Sequence, residues 1–166
     1  VSDPTHETEK SKFGASSLYF DGGDSLTVAD HDDVNNFGTG DFTIDFWFNS
    51  SVTNQQHTSF FSTEGVGGGY TLLLNNANTS DGTIAYWGGL GDDVRTSSGG
   101  YNDGNWHHVA LVRNGTSLAI YVDGVSKATA TSSAAENDGS NTLIIGDSFY
   151  TNRGLTGYMD EFRISK

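Results

Sequence analysis

Acidic residues beside glycine turns, and aromatic rings beside arginine, carry the residue types that could do chemistry in this 166-residue chain. Asp21 stands at a turn with Gly22, Gly23 and Asp24, directly after the run Ser17–Phe20. Asp160 stands in the closing run, where a period of two puts it on one face with Phe162 and Ile164. A carboxylate on an apolar face is costly unless it is paired or bound to a cation. Oxygen-only donors, carboxylates with glycine-loop carbonyls, suit Ca²⁺ and not zinc. The competing reading keeps both groups structural. Asp21 would cap its own turn, and Asp160 would pair with Arg163 or accept backbone N–H groups.

A second constellation is Asp92-Asp93, with Arg95 close by and Trp87 upstream, in WGGLGDDVRTSSGGYNDG. Trp87 and Tyr101 offer flat faces, and the glycines let a ligand approach the backbone. The stretch Asp147–Gly154 repeats the mixture in Tyr150, Asn152 and Arg153. Sugars stack a C–H face on an aromatic ring and exchange hydrogen bonds with Asp, Asn and Arg. The candidate carbohydrate site is therefore Trp87, Asp92, Asp93, Arg95, Tyr101, Tyr150, Asn152 and Arg153. The plain alternative is a polar loop surface with no ligand. Asp45, Trp47 and Asn49, on the outward side of a strand, are the next candidate.

Catalysis has little to work with. There is no cysteine, no G-x-S-x-G elbow and no HExxH zinc motif. His107 and His108 read as sheet residues. Glycoside hydrolysis needs two carboxylates about 5–5.5 Å apart for retention or about 6.5–9.5 Å for inversion. Asp160 and Glu161 are adjacent, so a strand would point them to opposite faces. The expectation is a protein that is not an enzyme. Sequons at Asn49, Asn78 and Asn114 arise by chance in an Asn- and Ser-rich chain and assign no compartment.

The formal charge is −13, with a pI near 4.4. Nucleic acid and anionic membrane surfaces would be repelled. No apolar run reaches the roughly 20 residues that span a bilayer. Residues 1–12 read as a polar lead-in and 13–166 as one domain. The stop at Lys166, directly after a strand-like run, is expected of a module excised from a larger protein with further domains.

The elements that must position these residues are strands. Glycine and Asn/Asp turns separate short apolar runs, as in a sandwich or barrel. The runs are Ser17–Phe20, Ser25–Val28, Phe42–Asn49, Thr58–Ser62, Tyr70–Asn75, Thr83–Tyr86, Asp93–Ser97, Trp106–Arg113, Ser117–Val122, Asn141–Gly146 and Gly157–Ile164. Phe42, Ile44, Phe46 and Phe48 alternate into a core, and Phe20, Leu111, Ile120, Val122 and Ile145 join them. Asn114-Gly115 predicts a type I′ turn between two strands, and Asp123-Gly124 a second turn of the same kind. Ala128–Asn141 reads as polar and flexible.

The wording WHHVALVRNGTSLAIYVDG (Trp106–Gly124), with SLYFDGGDSLTV, GTGDFTIDFWF and GYMDEFRISK, resembles the LamG-like jelly-roll domain of the concanavalin A-like lectin/glucanase fold. The resemblance runs from about Lys12 to Lys166. It implies an all-β, two-sheet antiparallel sandwich with its first and last strands side by side. It also implies a structural Ca²⁺ bridging Asp21 and Asp160, at the family's FDG and DE positions. Laminarinase-type members of the fold carry E-x-D-x-(x)-E on one strand. Here Thr43–Phe48 holds Asp45 but neither glutamate, which weakens the glycosidase reading further. Such domains occur in secreted multidomain proteins and phage tail fibres. The implied function is a non-catalytic module binding cell-surface or extracellular glycan, in an extracellular, cell-surface or virion setting. A structural or protein-binding spacer is the alternative, and a glycosidase or lyase comes third.

Overall fold

The computed structural model describes residues 3–76, 80–89 and 94–166. The described chain forms β1 (Thr5–Glu7), β2 (Ser17–Asp21), β3 (Leu26–Val28), β4 (Phe42–Asn49), β5 (Thr58–Ser62), β6 (Thr71–Leu74) and β7 (Ile84–Trp87). It continues through β8 (Val94–Arg95), β9 (Trp106–Asn114), β10 (Ser117–Val122), β11 (Val125–Thr131), β12 (Leu143–Ile145) and β13 (Thr156–Ser165). No helix occurs among the described residues. One sheet has seven strands in the order β1-β2-β13-β4-β9-β10-β11. The other has six, in the order β3-β12-β5-β6-β7-β8, and every pairing is antiparallel. The last strand does lie beside β2, as the resemblance implies.

Alternation makes the sandwich. Phe42, Ile44, Phe46 and Phe48 are all buried between the sheets, as are Phe20, Leu111, Ile120, Val122 and Ile145. Burying one such side chain is worth about 1.5–3 kcal/mol. The rings of Phe46 and Phe60 lie 5.0 Å apart, and Phe48 and Phe60 4.6 Å. In β5 a register shift between Ser59 and Phe61 lets both Phe60 and Phe61 reach the core.

Local geometry departs from the sequence reading in several places. β9 runs through Asn114, so the turn residues are Gly115 and Thr116. Of these only Gly115 has positive φ, 59°, the pattern of a II′ turn rather than I′. The second turn is as expected, with Asp123 at 51° and Gly124 at 77°. The chain then forms the edge strand β11 (Val125–Thr131), so the first four residues of the expected flexible stretch Ala128–Asn141 belong to a strand. Its signal is weak because the only residues it turns to the core are the small Ala128 and Ala130, between exposed Lys127, Thr129 and Thr131. β1 arises from the lead-in and pairs with β2.

The largest departure is in β13. Its register with β4 shifts between Asp160 and Arg163, and Glu161 takes φ 54°. Asp160 therefore lies opposite Trp47, and Arg163 opposite Asp45, on the outer face. Phe162 packs inward, stacked 5.7 Å from Phe46. Strict period two had put Asp160 with Phe162, and the bulge removes that conflict.

Candidate functional site

The outer side of the six-stranded sheet sets small hydroxyl side chains against larger ones where strands pair. Ser59 opposes Leu73, Ser62 opposes Thr71, and Thr71 opposes Trp87. Ser59, Ser62, Thr71 and Leu73 have no exposed surface, so neighbouring side chains lie over them. The Ser59 and Thr71 hydroxyls sit 3.1 Å apart, and Thr71 Oγ1 donates to the Phe61 carbonyl at 2.9 Å.

The loop after β12 supplies the cover. It begins at Gly146, φ 86°, where an added Cβ would sit 2.2 Å from the Phe20 ring. It ends at Gly154, where a Cβ would sit 2.2 Å from the Gly22 carbonyl oxygen. Between those close approaches the Ser59 N–H donates to the Arg153 carbonyl at 2.7 Å. The Gln55 side-chain amide donates to the carbonyls of Asn152 and Gly154, at 3.3 and 2.8 Å. The loop is thus tied to β5 and to the segment before it.

Arg153 is the centre of what results. Its guanidinium carbon lies 4.6 Å from the Tyr150 ring centre and 5.8 Å from that of Trp87. Its Nη1 lies 3.5 Å from Glu64 Oε2. Glu64 is held in turn by Ser62, whose hydroxyl donates to Oε2 and accepts from the Glu64 N–H. His57, at φ 56°, packs its ring 4.9 Å from Trp87. Cation–π contacts of this kind are worth about 0.5–2 kcal/mol, more as water is excluded. Phe149 and Tyr150 stand out into solvent beside the cluster, 58% and 47% exposed.

The electrostatics follow from burial. Burial raises the Glu64 carboxyl above its ordinary value, and the Arg153 charge opposes that shift. Burial lowers the His57 imidazole, and Arg153 lowers it further. Asp147, at the loop's start, is raised by burial. An exposed ring beside a fixed Arg–Glu pair can stack on a sugar face and exchange hydrogen bonds with its hydroxyls.

The structure brings Trp87, Tyr150 and Arg153 together and disperses the rest of the expected set. Asp92 and Asp93 lie outside the described residues. Arg95 is on β8, in a separate depression with Asp81, Thr83, Thr96 and Ser97. Tyr101 packs on the core and meets His107 edge-on at 5.4 Å. Asn152, φ 62°, turns towards a different hollow with Asp21, Asn54 and Thr156. Sequence reasoning passed over Glu64, His57 and Gln55, whose isolated polar side chains carry no spacing signal.

Asp21 and Asp160 do not meet either. Asp21 pairs with Thr156, while the ladder reaches Met159 opposite Leu18, so Asp160 lies at the far end of β2 from Asp21. Asp21 Oδ1 accepts from the Gly23 N–H at 2.8 Å. Asp160 Oδ2 accepts from the backbone N–H groups of Lys12 and Phe13, both at 3.0 Å. These two carboxylates do not fit a shared Ca²⁺.

The outer face of the seven-stranded sheet carries the other candidate. Arg163 donates to both Asp45 oxygens, at 3.1 and 2.9 Å, and His108 Nε2 lies 3.4 Å from Asp45. The Asp45 carboxylate raises the Arg163 guanidinium. Trp47 meets His108 at 5.2 Å and Phe13 at 5.6 Å, under the Lys12 ammonium at 4.0 Å.

A family model described as the concanavalin A-like lectin/glucanases superfamily matches residues 20–166. Among solved structures, the chain is similar to domain 4 of an extracellular arabinanase from Geobacillus stearothermophilus, in complex with arabinotriose. That likeness has TM-score 0.69 at 16% identity, over 99% of this chain and 75% of the other. It is also similar to mouse laminin alpha1 domains LG4-5, with TM-score 0.66 at 15% identity, over 90% and 40%. The binding domain of Paraclostridial Mosquitocidal Protein 1 gives TM-score 0.75 at 15% identity, over 98% and 42%. The chain thus spans less than half of the latter two. A search among curated proteins finds no match.

Proposed function

The chain belongs to the concanavalin A-like lectin/glucanases superfamily, and we propose that it is a non-catalytic module that binds a glycan at the Tyr150–Arg153–Trp87 rim. The observation that carries this is the guanidinium of Arg153 held between two rings and a carboxylate, beside an exposed Tyr150. Tyr150 offers the stacking face, and Arg153 with Glu64 offers donors and acceptors in a fixed arrangement. The reading needs no metal. A shallow site of this kind binds with a Kd of about 0.1–1 mM, or about −5.5 to −4 kcal/mol. Several copies in a larger extracellular, cell-surface or virion protein would gain avidity. The fold supports the reading, since the similar arabinanase domain was solved with arabinotriose.

A glycan-array screen of the native chain and Arg153→Ala tests it. The expected result is binding to a neutral or cationic glycan set that Arg153→Ala loses. A silent array would favour a spacer without a sugar site, and retained binding would place the site elsewhere.

A further inference from the structure

We propose a second ligand site on the opposite face of the sandwich: an aromatic ridge, Tyr19–Tyr158–Trp106, that takes an extended, uncharged polysaccharide chain running across the strands. The ridge is built by register. Tyr19 on β2 opposes Tyr158 on β13, which opposes Asn49 on β4, which opposes Trp106 on β9. All four therefore point to the outer side of the seven-stranded sheet. Asn49 is nearly buried, and its amide donates to the Gly104 carbonyl at 2.6 Å. The larger rings close over it: Tyr19 and Tyr158 lie 5.0 Å apart, and Tyr158 and Trp106 6.4 Å. The row crosses three strand gaps, about 14 Å at strand spacing. That is longer than one sugar, so its natural occupant is a chain and not a terminal residue.

The chemistry selects the occupant. Half-buried tyrosine and tryptophan rings present flat apolar faces with polar edges, which suits the C–H faces and hydroxyls of neutral sugars. A net charge of −13 disfavours acidic polysaccharides. The Lys10 ammonium lies 4.8 Å over the Tyr158 ring, where it can donate to sugar hydroxyls. Its backbone is fixed by the Ser17 hydroxyl, which donates to the Lys10 carbonyl at 2.6 Å.

The ridge also has an end. Lys12 and Phe13 cover Trp47, tied down by Asp160. The lead-in thus closes the Trp47 side, while over the row it sets the Lys10 ammonium on Tyr158, which a bound chain must share or displace. Trp47 serves as an internal control, an outer-face ring the polymer does not reach.

Affinity electrophoresis of the full chain in gels carrying xylan, galactomannan or mixed-linkage β-glucan tests the site. At least one polymer is expected to retard the native protein. Tyr158→Ala and Trp106→Ala should each weaken that retardation about tenfold, with circular dichroism confirming the fold. Tyr158→Phe should keep most of it. Trp47→Ala should be retarded like the native chain. Retardation by none of the polymers, or undiminished retardation of both ridge variants, overturns the proposal. Loss in Arg153→Ala alone would also overturn it, because the polymer would then sit at the rim. Loss of array binding in Arg153→Ala with polymer retardation intact would support both sites separately.

Discussion

The Ser59 N–H donates to the Arg153 carbonyl at 2.7 Å, joining β5 to a loop far away in the chain. That bond continues the sheet's hydrogen bonding past the end of β12. It sets the height of Arg153, and so decides where its guanidinium meets Trp87, Tyr150 and Glu64.

Tyr150 is 47% exposed, so its removal separates binding from stability. Tyr150→Ala should weaken glycan binding at the rim about fivefold to tenfold. The melting temperature should hardly move, because surface substitutions usually stay within about 0.5 kcal/mol. Isothermal titration beside thermal melting checks both halves.

Phe46 meets Phe48, Phe60, Phe61 and Phe162 in the core. Phe46→Ala should destabilise the fold by about 3–5 kcal/mol through lost burial and a cavity. Chemical denaturation gives the value directly, and a loss below about 1 kcal/mol would contradict this packing.

His57 is lowered from its ordinary 6.5 by burial and by Arg153. Between the lowered value and 6.5 the unfolded chain binds more protons than the folded one. Stability should therefore rise with pH across that window and be lost as pH falls through it. His57→Asn, which tolerates the positive φ, should flatten this part of the melting profile between about pH 5 and 7. Imidazole titration by NMR should place the native midpoint below 6.5.

Asp160 holds the lead-in through two backbone N–H groups. Asp160→Ala should cost about 1–2 kcal/mol and speed amide exchange at Lys12 and Phe13. If the loss comes from these bonds, it will be the same with added Ca²⁺ and with chelator. A loss seen only when Ca²⁺ is present would restore the metal clamp.

The fold was legible in the chain because burial writes a local pattern. Phe42, Ile44, Phe46 and Phe48 alternate so strictly that one face of β4 had to be core, and the Asp123-Gly124 turn follows from φ alone. Single-residue slips were not legible. Glu161 adopts a positive φ inside β13 because the packing of Phe162 on Phe46 outweighs the strain, and that moves Asp160 to the outer face. β11 was hidden because the residues it turns inward, Ala128 and Ala130, are too small to stand out among polar neighbours. At the rim, residue types pointed to Trp87, Tyr150 and Arg153 one by one. Their assembly with Glu64 and His57 rests on the Ser59 and Gln55 bonds to a distant loop. Those partners are neighbours only through strand order, which spacing along the chain does not encode, so the tertiary structure alone decided which side chains assemble there.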